Sequence, residues 1–295
     1  MTMSHPPTIQ IPTEDDHPVW ADFRSPAGGG GVGLNQIVVL CHGMKGHRLW
    51  GFVPRLAESL RTAGLPALAI DFSHNGVAGG DGGASGGPVY RDPGMIKRNT
   101  IDRERRDLAA VIAWVRSGGA GRFVPRTRVG LWGHSRGATS VLLNALDDPA
   151  AVTAIATWSA PAHADIYQPR QKRRWREAGE YEWLEGESGQ RLAMGVCFLD
   201  DLEDRREEYA LADRSAGLTI PHLIVHGEVD LVIPAENAER FVTARPSGVE
   251  IRKLLLRTGH TFGIGRSDSL EALRSAINET VDWFRRHLSR NGDLT

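Results

Sequence analysis

The chain has 295 residues, of which 41% are hydrophobic and 24% are charged, an ordinary composition for a globular protein. Its formal net charge of −1 gives no electrostatic reason to expect a nucleic acid or an anionic membrane as partner. No apolar run reaches the ~20 residues that a membrane span needs, and residues 1–12 lack the features of a signal peptide. Cys41 and Cys197 are too few for a disulfide framework. We therefore expect a single-domain cytoplasmic protein.

The first elements are predicted to be strands separated by turns. Residues 9–11 and 19–23 are typical of short strands joined by a turn at residues 15–18. The glycine run at residues 28–33 is interpreted as a flexible turn, because a dinucleotide-binding loop follows a strand and opens a helix. Residues 37–41 form a continuous β-branched run that is typical of a strand buried on both faces.

Helical and strand patterns alternate through most of the remaining chain. They predict helices at residues 52–62, 101–115, 235–244 and 270–288, and strands at residues 66–72, 152–158, 223–225 and 249–256. Residues 77–88 are almost all small and are interpreted as a mobile loop. Residues 160–218, rich in charge and aromatic side chains, are interpreted as a helical cap insertion. This alternation predicts an α/β fold with a doubly wound, mostly parallel sheet.

The most informative motif is the G-x-S-x-G pentapeptide centred on Ser135. It follows a buried-strand pattern at residues 128–132 and precedes a helical pattern at residues 138–145. A serine on a sharp turn from strand to helix has an exposed hydroxyl, and Gly133 and Gly137 allow the strand and helix to approach closely. The motif predicts a nucleophile elbow and therefore acyl-transfer chemistry.

A serine nucleophile needs a base, and the base needs a carboxylate that orients it. Ligands of an open parallel sheet bind beyond the carboxyl ends of its strands, so the partners of Ser135 are expected on loops that follow strands. Asp230 follows the strand at residues 223–225, and His260 follows the strand at residues 249–256. The order Ser, Asp, His along the chain is the one that this architecture uses.

Other residues compete for the roles of acid and base. Glu228 lies in the same loop as Asp230, and Asp200 and Asp201 precede it in the charged segment. Asp230 is favoured because the apolar residues after it allow the loop to turn inward before the next helix. Among the eleven histidines of the chain, His260 is favoured because it stands after the last strand and between glycines.

An oxyanion hole needs two backbone N–H groups that point to the developing negative charge. One is expected from Arg136, because it follows the nucleophile at a helix N-terminus where the dipole helps. The second is expected from Met44, which lies beside Gly43 in the loop after the strand that ends at Cys41.

Further side chains are candidates for substrate binding. His74 and Asn75 end a strand on the active-site side and either line the pocket or fix the turn. A group of aromatic residues either forms an acyl or alcohol pocket or packs the cap against the sheet: Trp158, Trp175, Tyr181 and Trp183.

Histidine pairs raise the question of a metal site. His42 and His47 flank one loop, and His222 and His226 share a strand face. Neither pair is accompanied by H-E-x-x-H or C-x-x-C, so we expect no metal. His42 is expected instead to stabilise its loop by a hydrogen bond.

The combination of His42-Gly43, the Ser135 elbow, Asp230 and His260 resembles the α/β-hydrolase family across residues 37–283. The segments 42–46, 71–76 and 259–262 resemble the branch that contains dienelactone hydrolases and feruloyl esterases. Dienelactone hydrolases use cysteine where this chain has a serine. The resemblance therefore implies a carboxylic-ester hydrolase of small molecules, without metal or organic cofactor.

One site of this kind can serve several reactions, because a fold does not determine a function. The alternatives are hydrolysis of an amide or C–C bond, acyl transfer to an acceptor other than water, and ligand binding without catalysis. The sequence does not indicate the substrate or the oligomeric state.

Overall fold

The computed structural model describes residues 8–77, 90–184, 189–264 and 270–289. The loop that the sequence predicts at residues 77–88 lies outside this part of the chain, except for Val77. The strands are β1 (Thr8–Ile11), β2 (Val19–Arg24), β3 (Leu34–Cys41), β4 (Ala67–Asp71), β5 (Phe123–His134), β6 (Ala154–Trp158), β7 (Glu180–Leu184), β8 (Arg191–Gly195), β9 (His222–Gly227) and β10 (Ile251–Leu256).

Eight of these strands form the central sheet, in the order β1-β2-β4-β3-β5-β6-β9-β10. The first strand pairs antiparallel with β2, and β2 pairs antiparallel with β4. All later pairings in this sheet are parallel. The prediction of a mostly parallel, doubly wound sheet is confirmed, and so are the two opening strands.

The helices are α1 (Val53–Thr62), α2 (Pro93–Lys97), α3 (Ile101–Arg116), α4 (Arg136–Asp147), α5 (Pro169–Ala178), α6 (Cys197–Asp204), α7 (Leu211–Arg214), α8 (Glu236–Ala244) and α9 (Leu270–Leu288). Apolar side chains of α1 and α9 pack on one face of the sheet, and those of α3, α4 and α8 pack on the other. Within the described segments, every helix is too short or too polar to cross a bilayer.

The central strand β3 shows why the sheet needs helices on both faces. Val38 and Leu40 belong to the core on the side of α1 and α9, whereas Val39 and Cys41 belong to the opposite core. All four side chains are fully buried. Successive side chains of a strand point to opposite faces, so a strand covered on both sides needs a continuous apolar run.

The chain between β6 and β9, residues 159–221, forms an insertion beyond the carboxyl ends of the strands. It contains α5, α6 and α7, but it also contains an antiparallel pair formed by β7 and β8. The sequence predicts the helices of this insertion, and the structure adds the two-stranded pair to them. From Glu180 to Trp183, glutamates alternate with large aromatic side chains, which is a strand pattern that the overall charge of the segment conceals.

Candidate active site

Ser135 lies at the sharp turn between β5 and α4. Its backbone angles are φ 53° and ψ −120°, a conformation that a residue with a side chain rarely adopts. Its N–H donates to the carbonyl oxygen of Trp158 on the neighbouring strand at 2.8 Å, and its own carbonyl accepts from the N–H of Ala138 at 2.9 Å. The backbone of the sheet and the first turn of the helix therefore hold the strained turn from both sides.

The two glycines of the motif are required by the space around this turn. A Cβ atom on Gly133 would lie 2.5 Å from the carbonyl oxygen of Gly137. A Cβ atom on Gly137 would overlap the carbonyl oxygens of His42 and Cys41. Because both obstacles are backbone atoms, no side-chain rotation can relieve either clash.

Three side chains from separate loops meet at this turn. Nε2 of His260, in the loop after β10, lies 3.0 Å from Oγ of Ser135. Nδ1 of the same imidazole lies 2.8 Å from Oδ2 of Asp230, in the loop after β9. The structure thus brings together the serine, histidine and aspartate that the sequence selects, in hydrogen-bonding order.

Asp230 is buried and receives several hydrogen bonds. Its Oδ1 accepts from the backbone N–H groups of Val232 and Ile233, each at 2.9 Å. Burial by itself raises the pKa of this carboxyl, but the hydrogen bond from His260 and those from the backbone outweigh burial and hold the pKa below its usual value. The carboxylate is therefore ionised at neutral pH and accepts a hydrogen bond from the N–H at Nδ1 of the imidazole.

Two further histidines hold the loops of this site, and the sequence reasoning missed their roles. Nε2 of His134 lies 2.9 Å from the carbonyl oxygen of His260. Burial, together with the nearby His260, lowers the pKa of His134 to about 3, so its ring is neutral and donates to that carbonyl. Nε2 of His226 similarly lies 2.8 Å from the carbonyl oxygen of Ile233, across the loop of Asp230. His134 and His226 stand at the carboxyl ends of β5 and β9, and this position is the sequence feature that indicates a role near the site.

The two expected oxyanion donors lie beside the serine. Arg136 is the first residue of α4, and both it and Met44 line the same cavity as Ser135. Within the described residues, neither backbone N–H has a hydrogen-bond acceptor. A Cβ atom on Gly43 would lie 3.0 Å from the carbonyl oxygen of His134, so a side chain there would crowd the elbow.

A cavity of about 430 Å³ opens next to Ser135 and His260. Its floor comes from strand-end loops, and much of its wall comes from the insertion. Large apolar and aromatic side chains dominate the lining: Trp50, Ile101, Ile166, Tyr167, Trp183, Leu184, Phe198, Val232 and Ile233. A pocket of this size and lining suits a small organic molecule.

Two of the tryptophans expected to bind substrate do not line this cavity among its described residues. Trp158 is fully buried, and its indole N–H donates to the hydroxyl of Thr280 on α9 at 3.0 Å. Trp175 is buried in the insertion, where its indole N–H donates to the carbonyl oxygen of Met194 at 3.0 Å. Both residues therefore support packing, and their assignment to the substrate pocket is corrected.

His74 and Asn75 are also absent from the described lining of the main cavity. They line a smaller side pocket of about 10 Å³, which shares Met44, Lys45 and other lining residues with the main cavity. Nδ1 of His74 lies 2.7 Å from the hydroxyl of Ser73. Asn75 accepts from the N–H of Val77 at 3.0 Å, so both residues fix the turn after β4.

The carboxylates that the sequence offers as alternatives to Asp230 either bind other groups or are exposed to solvent. Asp201 accepts from the backbone N–H of Ile101 at 2.9 Å and from the hydroxyl of Tyr209 at 3.0 Å, so it binds the first turn of α3. Asp200 pairs with Arg176 at 2.9 Å. Glu228 is exposed in the loop that carries the buried Asp230.

The histidine pairs considered for a metal make protein hydrogen bonds. Nδ1 of His42 lies 2.9 Å from the carbonyl oxygen of Gly43, and Nε2 of His222 lies 2.8 Å from the hydroxyl of Thr157. In the part of the chain that the structure describes, no group of three or more His, Cys, Asp or Glu side chains is placed to hold a metal ion.

Comparison with known proteins identifies the family of the chain. The model of the alpha/beta hydrolase family matches residues 38–273. No curated protein sequence matches the chain.

Several solved structures share the fold at low sequence identity. Est1E from Butyrivibrio proteoclasticus, solved with ferulic acid bound, has a TM-score of 0.68 and 18% identity, over 96% of this chain and 100% of its own. A dienelactone hydrolase from Anabaena variabilis has a TM-score of 0.62 and 16% identity, over 96% and 98% of the two chains. The mouse alpha/beta hydrolase domain-containing protein 10 has a TM-score of 0.67 and 14% identity, over 95% and 99%.

Proposed function

The chain belongs to the α/β-hydrolase family, and we propose that it cleaves carboxylic esters of small molecules with Ser135 as nucleophile. The observation that carries this proposal is the hydrogen-bonded series from Ser135 through His260 to Asp230, with distances of 3.0 and 2.8 Å. A serine hydroxyl is a weak nucleophile unless a base is within hydrogen-bond reach, and this arrangement supplies one.

In the proposed first step, Oγ of Ser135 attacks the carbonyl carbon of the ester while Nε2 of His260 accepts the hydroxyl proton. The ionised Asp230 accepts a hydrogen bond from Nδ1, which leaves Nε2 free of a proton and able to act as base. The same carboxylate stabilises the imidazolium that forms. The two N–H donors to Asp230 keep it ionised and in place throughout this step.

The tetrahedral intermediate carries a negative charge on the former carbonyl oxygen. We assign its stabilisation to the backbone N–H groups of Met44 and Arg136. The N-terminal position of Arg136 in α4 adds the positive end of the helix dipole. Removal of one such donor in other hydrolases lowers kcat by about 10²–10³.

The intermediate then collapses, and His260 gives its proton to the departing alcohol oxygen. Ser135 keeps the acyl group as an ester. A water molecule, deprotonated by His260, attacks the acyl carbon, and the returning proton restores the serine hydroxyl as the acid leaves. The apolar lining of the cavity supports an ester with an aromatic or branched group, and methyl ferulate is one suitable probe.

The proposal is tested by steady-state kinetics with 4-nitrophenyl butanoate. We expect Ser135→Ala to lower kcat by at least about 10³-fold, because the acyl group then has no acceptor on the protein. Ser140→Ala, the same change within α4 at a buried hydroxyl, is the matched control and should retain activity. An active Ser135→Ala variant would overturn the proposal. A 4-nitroanilide with the same acyl group tests whether amides are also cleaved.

A further inference from the structure

We propose that the cavity selects esters that carry a carboxylate, and that this carboxylate binds at a wall formed by Lys45, Arg136 and Trp183. The inference rests on the proposed ester hydrolysis and adds a substrate class to it. We call these three residues the cationic wall. They all line the main cavity, and all three also line the side pocket.

The charge of the cavity lining is the first support. Lys45 and Arg136 are the lysine and arginine of this lining, and no aspartate or glutamate belongs to it among the described residues. A cleft lined by one sign of charge with apolar walls concentrates ligands of the opposite sign. The rest of the lining is mostly apolar and does not distinguish an anionic ester from a neutral one.

Lys45 differs from every other lysine of the chain. Lys97, Lys172 and Lys253 each form an ion pair, with Glu180, Asp165 and Glu239 respectively. Lys45 has no such pair with the described residues, and its ammonium lies 5.0 Å from the centre of the Trp183 ring. This cation–π contact positions the ammonium without neutralising it. The charge remains available to a bound anion.

The backbone at Lys45 is a second unusual feature. Its φ of 63° is in the left-handed region, where a residue with a side chain is strained. The neighbouring glycine, Gly46, would tolerate such an angle at no cost, yet the chain has lysine at the strained position. Lys45 directly follows Met44, one of the assigned oxyanion donors.

Two buried N–H groups of the wall lack acceptors. Nε1 of Trp183 and Nε of Arg136 are both inaccessible to solvent, and neither has a hydrogen-bond partner among the described residues. Buried donors in folded proteins usually have an acceptor, and an anion bound in the cavity would supply one for donors at its wall. A carboxylate has two oxygens and about four lone-pair sites, enough for these donors and the ammonium.

Arg136 and Lys45 contribute differently to this wall. A terminal nitrogen of Arg136 pairs with the buried Glu104 at 2.7 Å, and the guanidinium lies 5.5 Å from the centre of the Phe198 ring. The charge of Arg136 is therefore already balanced, and the residue acts as a fixed donor. Lys45 supplies the net positive charge, so it is the residue that determines selectivity.

Matched ester pairs test this inference. The mono-4-nitrophenyl esters of glutarate and adipate carry a terminal carboxylate, and the 4-nitrophenyl esters of 5-methylhexanoate and 6-methylheptanoate replace it with an isopropyl group of similar shape. After subtraction of spontaneous hydrolysis, we expect kcat/KM to favour at least one anionic ester over its neutral partner by about tenfold. In Lys45→Met this ratio should fall to about one, and in Lys45→Glu it should invert.

Lys253→Met is the matched control, because it removes a surface lysine that pairs with Glu239 and is absent from the cavity lining; the wild-type ratio should remain. A wild-type ratio near one for both pairs, or a ratio that survives Lys45→Met, would overturn the inference. The two proposals fail in different ways. If the wild type hydrolyses none of the four esters, the proposal of ester hydrolysis is contradicted. If it hydrolyses the neutral esters and shows no preference for the anionic ones, only the proposed substrate class is contradicted.

Discussion

The two parts of the molecule that meet at the cavity are held together by different kinds of contact. The strand-end loops that carry Ser135, His260 and Asp230 are fixed by backbone groups, such as the N–H of Ser135 on Trp158 and the two N–H groups on Asp230. The insertion at residues 159–221 has backbone bonds between β7 and β8, and side chains attach it to the rest of the chain, as Asp201 does at α3. There Trp175 stacks on Phe198 with ring centres 5.8 Å apart.

This difference has a consequence for how the two parts tolerate change. Backbone contacts require particular conformations and, at Gly133 and Gly137, the absence of a side chain. Side-chain packing accepts other residues of similar volume. We therefore expect substitutions in the strand-end loops to disturb the geometry of Ser135, His260 and Asp230, and substitutions in the insertion to alter the shape of the cavity.

The largest effect is expected at Asp230. Asp230→Asn leaves the shape of the loop but removes the charge that orients His260 and stabilises its protonated form. We expect kcat for 4-nitrophenyl butanoate to fall by about 10³–10⁴-fold at pH 7. Glu228→Gln, a neutralised carboxylate in the same loop, should remain within about twofold of the wild type. Equal effects of the two changes would show that Asp230 has no special role.

A somewhat smaller effect is expected at the elbow. Gly137→Ala places a Cβ atom against the carbonyl oxygens of His42 and Cys41, and the backbone must move to accept it. We expect the free energy of unfolding to decrease by about 3 kcal/mol in urea titrations. Gly30→Ala is the control, because a Cβ atom there would have no neighbour within 4 Å. A fully stable Gly137→Ala variant would contradict the close approach of β3 and α4.

Next in size is a change inside the insertion. Trp175→Leu removes the ring that packs on Phe198 and Tyr167, and leaves the strand-end loops untouched. We expect about 2 kcal/mol of destabilisation and an increase in KM of about tenfold, with kcat within about threefold. Trp114→Leu, which loses a contact with Phe123 instead, should destabilise the chain without changing KM. A change in kcat without a change in KM would contradict the expectation that the insertion affects substrate binding and the strand-end loops affect the chemical step.

The smallest effect concerns pH and the buried histidines behind the loops. Burial lowers the pKa of His134 to about 3 and that of His42 to about 4, so both are neutral in the folded chain. An unfolded histidine titrates near pH ~6.5, so below this pH the unfolded state binds more protons. Stability is therefore full above pH ~6.5 and decreases as the pH falls toward the folded values.

The expected slope is about 1.4 kcal/mol per pH unit for each such histidine. His134→Gln removes one titrating ring while retaining an N–H donor for the carbonyl of His260. Urea titrations at pH 7, 6 and 5 should show a smaller loss of stability in this variant than in the wild type. Parallel curves for the two proteins would mean that His134 is not neutral in the folded state.

The same division between regions explains what could be predicted from the sequence. The apolar runs define the strands, and parallel strands place the loops of Asp230 and His260 at one edge of the sheet. Local glycine patterns then identify Ser135. No comparable sequence pattern identifies the elements of the insertion, because these elements are short. Its side chains also contact residues that are distant in the sequence, as Asp201 contacts the first turn of α3.

For Trp158 the sequence left substrate binding and packing open, although its strand pattern favours packing. Strand periodicity places it on the same face of β6 as Ala154 and Ala156, and the structure confirms that this face packs toward α9. Periodicity was therefore sufficient to assign this tryptophan to the core. The cationic wall has no such signal, because Lys45 and Trp183 are brought together only by the folding of the insertion over the loop after β3.

The central claim is that the hydroxyl of Ser135 is activated by His260. It is tested most directly by treating the folded protein with a fluorophosphonate and locating the adduct by peptide mass spectrometry. We predict one adduct per chain, on Ser135, formed at least about 10²-fold more slowly in His260→Gln. Complete loss of esterase activity with no adduct on Ser135, or equal labelling in His260→Gln, would contradict the claim.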